Sequence, residues 1–142
     1  MKRFCKPGLA LLATALWLWF IYARSAQPAA VSHEESGAVL GLLRKVLPFV
    51  DMLLVRKLAH FTEYAVLGAL LWLDWRLLGR DGLLLPLGAG LLFAAGDELL
   101  QTFIPGRSGE LLDVLLDFSG VLAAVLPARL IRKRKENKRR EA

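Results

Sequence analysis

One cysteine, Cys5, is all that the 142-residue chain contains, so an internal disulfide framework is excluded. No pair of Cys or His residues stands at zinc-finger spacing, no glycine-rich loop has the form that cradles phosphate, and no serine sits in a nucleophile elbow. There is no internal repeat and no second domain, and residues 1–142 read as a single unit. What the chain has in abundance is apolar surface: 56% of it is hydrophobic, against a formal net charge of +6. With a mean hydropathy of +0.45, this profile suits a small polytopic membrane protein better than a basic soluble domain. A nucleic-acid partner is not expected.

The expected fold is an all-α membrane protein, with four transmembrane helices in a compact bundle at about 7–23, 55–73, 83–103 and 110–126. Lys2, Arg3 and Lys6 precede the first span, whose far end is crowded by Trp17, Trp19, Phe20 and Tyr22. Ala23-Arg24-Ser25 has the form of a signal-peptidase site, but the apolar run is long for a signal peptide and its aromatics resemble an interfacial belt, so a retained span is expected. A capping box at Ser32-x-x-Glu35 opens an external amphipathic helix between spans one and two. Val39, Leu40, Leu42, Leu43, Val46 and Leu47 form its apolar stripe, and Pro48 ends or kinks it. Pro86, Gly88, Gly90 and Gly96 place flexibility and close helix approach within the third span. Asp74-Trp75-Arg76 begins an inner loop, and Ile104 to Gly109 is an outer turn. The basic tail, 129–142, follows the last span, so the positive-inside rule puts both termini in the cytoplasm and the tail against anionic lipid headgroups. Trp17, Trp19, Trp72 and Trp75 read as interfacial anchors.

Between Val55 and Ser119 the apolar pattern is broken by Glu63, Asp97, Glu98, Glu110, Asp113 and Asp117. Each charge within a span costs about 2.5 to 3.5 kcal/mol on insertion scales, so a compensating interaction is required. Arg56, His60, Glu63 and Leu67 share one face of span two, and Glu110, Asp113, Asp117, Gly120 and Ala124 share one face of span four. Gln101 shares a face with Asp97 and with Glu98. In the topology above these stripes meet near the outer leaflet. They form a candidate polar pocket of Arg56, Lys57, His60, Glu63, Tyr64, Asp97, Glu98, Gln101, Arg107, Asp113 and Asp117, in which Arg107 reaches back as a bidentate partner for a carboxylate.

Three readings of the pocket stand open: a satisfied polar network that fixes helix register, a ligand or substrate site, and a divalent-ion site using His-x-x-Glu and the acids. No metal site is assigned and no cofactor is named. Tyr64 reads as a packed aromatic and His33 as a solvated side chain.

Arg56-Lys57-x-x-His60-Phe61-x-Glu63-Tyr64-x-x-Leu67-Gly68 is followed by Asp97-Glu98-x-x-Gln101-x-Phe103-x-Pro105-Gly106-Arg107-Ser108-Gly109 and by Asp113-Val114-x-x-Asp117-x-x-Gly120. In order and spacing this set resembles the VanZ-like family. The resemblance implies a small multi-pass protein of the bacterial cell envelope, and its namesake confers low-level resistance to the glycopeptide teicoplanin. It assigns no catalytic residue. Many relatives have histidine where this chain has Leu100, which weighs against a metal mechanism that needs that imidazole. The leading expectation is reduced teicoplanin action through contact with a glycopeptide, membrane lipids or a lipid-linked cell-wall precursor. The alternative is a membrane enzyme acting on a lipid-linked envelope substrate with a carboxylate pair. Transport is disfavoured, because four short spans enclose little volume and the charges gather at one end. Oligomeric state is not specified by the sequence.

Overall fold

A computed structural model of the chain describes residues 2–45 and 47–141, and the side chains of these except at 2–6, 35 and 39. Among the described residues there are five helices and no strand: α1 (Lys2–Ser25), α2 (Ala29–Leu43), α3 (Met52–Leu77), α4 (Leu84–Gln101) and α5 (Leu111–Arg140). The all-α expectation holds, and α1, α3, α4 and α5 stand where the four spans are expected. Two stretches, Pro7–Ser25 and Leu111–Arg140, are long and apolar enough to cross a membrane by length and composition. Helices α3 and α4 fall short of that measure because they carry the charges: Arg56, Lys57 and Glu63 on one, Asp97 and Glu98 on the other.

Burial is distributed in a way that a soluble fold avoids. Leu9, Leu12, Leu16 and Trp19 of α1, Leu84, Leu92 and Leu99 of α4, and Leu111 and Leu112 of α5 are exposed, while Thr14, Ser25, Asp74, Asp97, Glu98, Gln101 and Asp117 are buried. Polar groups inside and leucine outside is the arrangement expected of a bundle whose solvent is lipid. The apolar windows of α1 and α5 are only 22% and 28% buried, unlike the core helix of a soluble protein.

Helices α3 and α5 make the tightest pair, and the reason lies in two glycines. A Cβ on Gly68 would come within 2.9 Å of the Val121 Cα and carbonyl oxygen, and one on Gly120 would press on the Phe61 carbonyl oxygen. Backbone therefore lies against backbone, as small residues permit in membrane bundles. Gly90 of α4 likewise makes room for the Val121 side chain. Around this crossing Ile21, Tyr64, Leu67, Trp72, Ala94, Val121 and Val125 form the main apolar core.

Several local expectations are corrected. Helix α2 starts at Ala29 behind Pro28, whose fixed φ of −54° already suits a chain entering a helix, so Ser32 lies a turn inside instead of capping. Its inward face is Ser32, Ser36 and Leu40, whereas Leu42, Leu43 and Leu47 of the expected apolar stripe point outward. The side chains of Glu35 and Val39, and residue 46 altogether, lie outside what is described, and with them the capping role of Glu35 and two positions of the stripe. The helix ends at Leu43, before Pro48 is reached. Pro86 sits in the first turn of α4, where a missing N–H costs nothing, so it does not loosen the middle of that span. Asp74 belongs to α3 and is buried, with Thr14 Oγ1 donating to its Oδ2 at 2.6 Å. Trp72 belongs to the core, Trp17 and Trp75 are half-buried, with Trp17 donating to the Glu63 carbonyl at 2.9 Å, and Trp19, 71% exposed, faces outward.

The basic tail is a direct continuation of α5 through Pro127. Its Arg132 meets Asp81 at 2.9 Å, and Asp81 also receives Arg76 at 2.9 Å, which ties the tail to the turn between α3 and α4. At the opposite end the start of α2 is held to the α4–α5 turn, with Ala29 N–H donating to the Pro105 carbonyl at 3.3 Å. The candidate site lies at that end.

Candidate functional site

Four helices and one turn build the site. The i, i+4 spacing on α3 turns Arg56 and His60 inward on one face. The i+4 step from Asp113 to Asp117 on α5 does the same across the glycine crossing. The last turn of α4 supplies Glu98 and Gln101, and the turn after it folds Arg107 and Ser108 back over the top. Together with Lys57, Glu110 and Asp113, these residues line a cavity of about 160 Å³ that opens at this end of the bundle. The turn is possible because Gly106 takes a φ of 75°, in the left-handed region that favours glycine.

The interactions divide the expected pocket residues into distinct parts. Lys57 and Asp113 form an ion pair at 2.7 Å on the rim. Both oxygens of Glu98 are engaged: its Oε1 accepts from Gln101 Nε2 at 3.1 Å and its Oε2 accepts the backbone N–H of Glu110 at 2.9 Å. Arg107 donates to Gln101 Oε1 at 3.3 Å and to the Arg24 carbonyl at 3.5 Å. The expected bidentate bond from Arg107 to a carboxylate is therefore not formed, because Gln101 stands between the guanidinium and the acids. Partial burial, followed by the neighbouring positive charge of Arg56, pulls the Arg107 guanidinium below its ordinary pKa. Arg56 lies 3.4 Å from His33 Nε2, and the exposed His33 is thus a neighbour of the site.

Glu63, Tyr64 and Asp97 do not line the main cavity. Glu63 borders a smaller neighbouring cavity with His60 and pairs with Arg24 at 3.5 Å. Tyr64 is fully buried and donates to the Phe93 carbonyl at 3.2 Å, as a packed aromatic would. Asp97 lies behind the floor, where its Oδ2 accepts from Ser25 at 2.9 Å and from Gln101 at 3.3 Å. Asp117 is fully buried on the floor, with Oδ1 3.7 Å from His60 Nδ1.

Two contributors were not legible as site residues. Ser25 and Arg24 come from the end of α1, where the local signal is a small-x-small triplet and nothing points to partners 72 and 39 positions away (Asp97 and Glu63). Leu100 lines neither cavity.

A sequence model of the family described as VanZ/LLP1 matches residues 10–132. That range contains all three motifs of the resemblance and extends it into α1, the helix that supplies Ser25 and Arg24. No curated protein and no solved structure matches the chain.

Proposed function

Because the chain belongs to the VanZ/LLP1 family, we propose that it is a multi-pass protein of the bacterial cell envelope whose polar cavity opens outward and lowers the action of teicoplanin. The cavity does so by engaging a glycopeptide or an anionic lipid-linked wall precursor at the outer leaflet. The observation that carries this reading is the cavity itself. It is a polar recess of about 160 Å³ at one end of a bundle whose flanks are leucine. A ligand that is half lipid and half polar meets both surfaces at once.

Two guanidinium groups support an anionic ligand, beside the carboxylates that line the same cavity. Among the described residues Arg56 and Arg107 have no carboxylate at ion-pair distance, and both line the cavity. A guanidinium that is partly desolvated gains from a phosphate or carboxylate that brings matching acceptors. Orientation follows from the opposite end, where the run of Lys and Arg in the last turns of α5 favours the cytoplasmic side. On this reading α1, α3, α4 and α5 all cross, and the charges of α3 and α4 are tolerated because they face the cavity instead of lipid.

The test is the susceptibility of a sensitive Gram-positive host expressing the intact chain, an Arg56→Gln, Arg107→Gln double variant, or neither, at equal membrane abundance. Lower teicoplanin susceptibility with the intact chain alone, with vancomycin as control, supports the reading. Unchanged susceptibility in all three removes it.

A second reading, an enzyme acting on a lipid-linked envelope substrate, is favoured by one observation: His60 and Asp117 stand together at the cavity floor, as a general acid and base would. Lipid-linked intermediates that change on expression of the intact chain and not of His60→Gln would select it.

A further inference from the structure

We propose that His60, Asp97 and Asp117 hold one divalent transition-metal cation at the floor of the cavity. The proposal goes beyond the envelope reading and stands without it. Each residue offers one ligand atom, and these atoms all lie within 4.8 Å of one another, although they come from three different helices. Two ligands sharing an ion, at bonds of about 2.0 to 2.2 Å, stand about 3 to 3.5 Å apart. The His60 Nδ1 to Asp117 Oδ1 separation of 3.7 Å is close to that without adjustment. Carboxylate rotation closes the remainder.

Unused acceptors supply the second observation. Asp97 and Asp117 are both 0% exposed. Among the described residues neither oxygen of Asp117 has a hydrogen-bond partner, and the same is true of Asp97 Oδ1 and His60 Nδ1. Lys57 pairs with Asp113 at 2.7 Å, Arg24 with Glu63 at 3.5 Å, Arg107 bonds Gln101 and a backbone carbonyl, and Arg56 stands beside His33 at 3.4 Å, so among the described residues no Lys or Arg lies at ion-pair distance from Asp97 or Asp117. Two buried carboxylates with free lone pairs and one imidazole are a costly arrangement unless something positive sits between them.

The donor set identifies the class of ion. One imidazole nitrogen and two carboxylate oxygens suit Zn²⁺ or Mn²⁺, whereas Cu⁺ favours thiolates and Ca²⁺ and Mg²⁺ favour oxygen alone. Ser25 and Gln101 hold Asp97 Oδ2 in place and leave Oδ1 without a partner among the described residues; fixing a ligand side chain in this way is the part that outer hydrogen bonds play around a bound metal. His60 and Asp117 line the open cavity, through which an ion and its waters arrive. The cluster is complete without a side chain from position 100.

The experiment uses the full chain, free of any histidine tag, stripped with chelator in lipid nanodiscs and equilibrated with Zn²⁺ or Mn²⁺ alone. Metal content after desalting and titration calorimetry are the readouts, with helicity by circular dichroism as the fold control. The intact chain and Asp81→Asn, a carboxylate change at the opposite end, retain a single equivalent. Asp117→Asn, Asp97→Asn and His60→Gln lose affinity by about a hundredfold or more, and Ser25→Ala by about tenfold. Where one ligand variant fails to fold, the other two carry the test. An intact chain that retains no stoichiometric metal overturns the proposal, as does equal affinity in the folded ligand variants. Neither result bears on teicoplanin susceptibility, so the two readings fail separately.

Discussion

Glu98 of α4 accepts the backbone N–H of Glu110, the residue that opens α5, at 2.9 Å. Helix α5 has no side-chain cap of its own, so a carboxylate from the preceding helix satisfies an orphan donor there and places negative charge at the positive end of the helix. Removing the acceptor with Glu98→Ala costs about 1 to 2 kcal/mol of stability, the scale of a lost cap, whereas Glu98→Gln keeps an acceptor and costs less. Thermal unfolding of the two variants in one detergent checks the order. Equal losses would mean that the bond to Glu110 does not hold the turn.

Gly120 sets the distance between α3 and α5, and with it the distance between His60 and Asp117 one turn away. A Cβ at that position meets the Phe61 carbonyl and comes within 3.1 Å of the Ala65 nitrogen, both of them backbone atoms that cannot rotate aside. Gly120→Ala is expected to destabilise by about 1 to 3 kcal/mol, as overpacking does. Gly88, with nothing within 4 Å of its added Cβ, gives the control. Gly88→Ala is expected to be neutral or stabilising by up to about 1 kcal/mol through helix propensity. Melting temperatures that fall alike for both would contradict the close crossing.

At the far end of the bundle Asp74 is 7% exposed and its Oδ2 is held by Thr14 at 2.6 Å. Thr14→Val strands a buried acceptor and is expected to cost about 1 to 3 kcal/mol. The double change Thr14→Val with Asp74→Leu removes both polar groups and recovers most of that loss. A double variant less stable than Thr14→Val alone would show that Asp74 has another partner.

The helix order and the polar stripes were legible because both depend on spacing within one helix: His60 four residues after Arg56, Asp117 four after Asp113. Matches between helices were not. Ser25 with Asp97 and Thr14 with Asp74 join residues 72 and 60 positions apart, and no local pattern marks them. Each oxygen of Glu98 accepts one hydrogen bond, from Gln101 and from the Glu110 backbone, while among the described residues the neighbouring Asp97 keeps Oδ1 without a partner. The expected partner of Arg107 was a carboxylate. Gln101, uncharged but nearer, took that place. The tail read as a charged segment separate from the last span, but Lys, Arg and Glu are good helix formers and Arg132 has Asp81 to meet, so α5 continues to Arg140.

Cys5, the only cysteine of the chain, makes the orientation of the cavity directly measurable. In a Cys5→Ser background, Ser108→Cys at the cavity mouth and Lys135→Cys in the tail helix are exposed to a membrane-impermeant thiol reagent in intact cells and after permeabilisation. If the cavity opens outward on a four-span bundle, Ser108→Cys is labelled in intact cells and Lys135→Cys only after permeabilisation. Labelling of Lys135→Cys in intact cells, with Ser108→Cys protected, would turn the cavity toward the cytoplasm and contradict the proposed function.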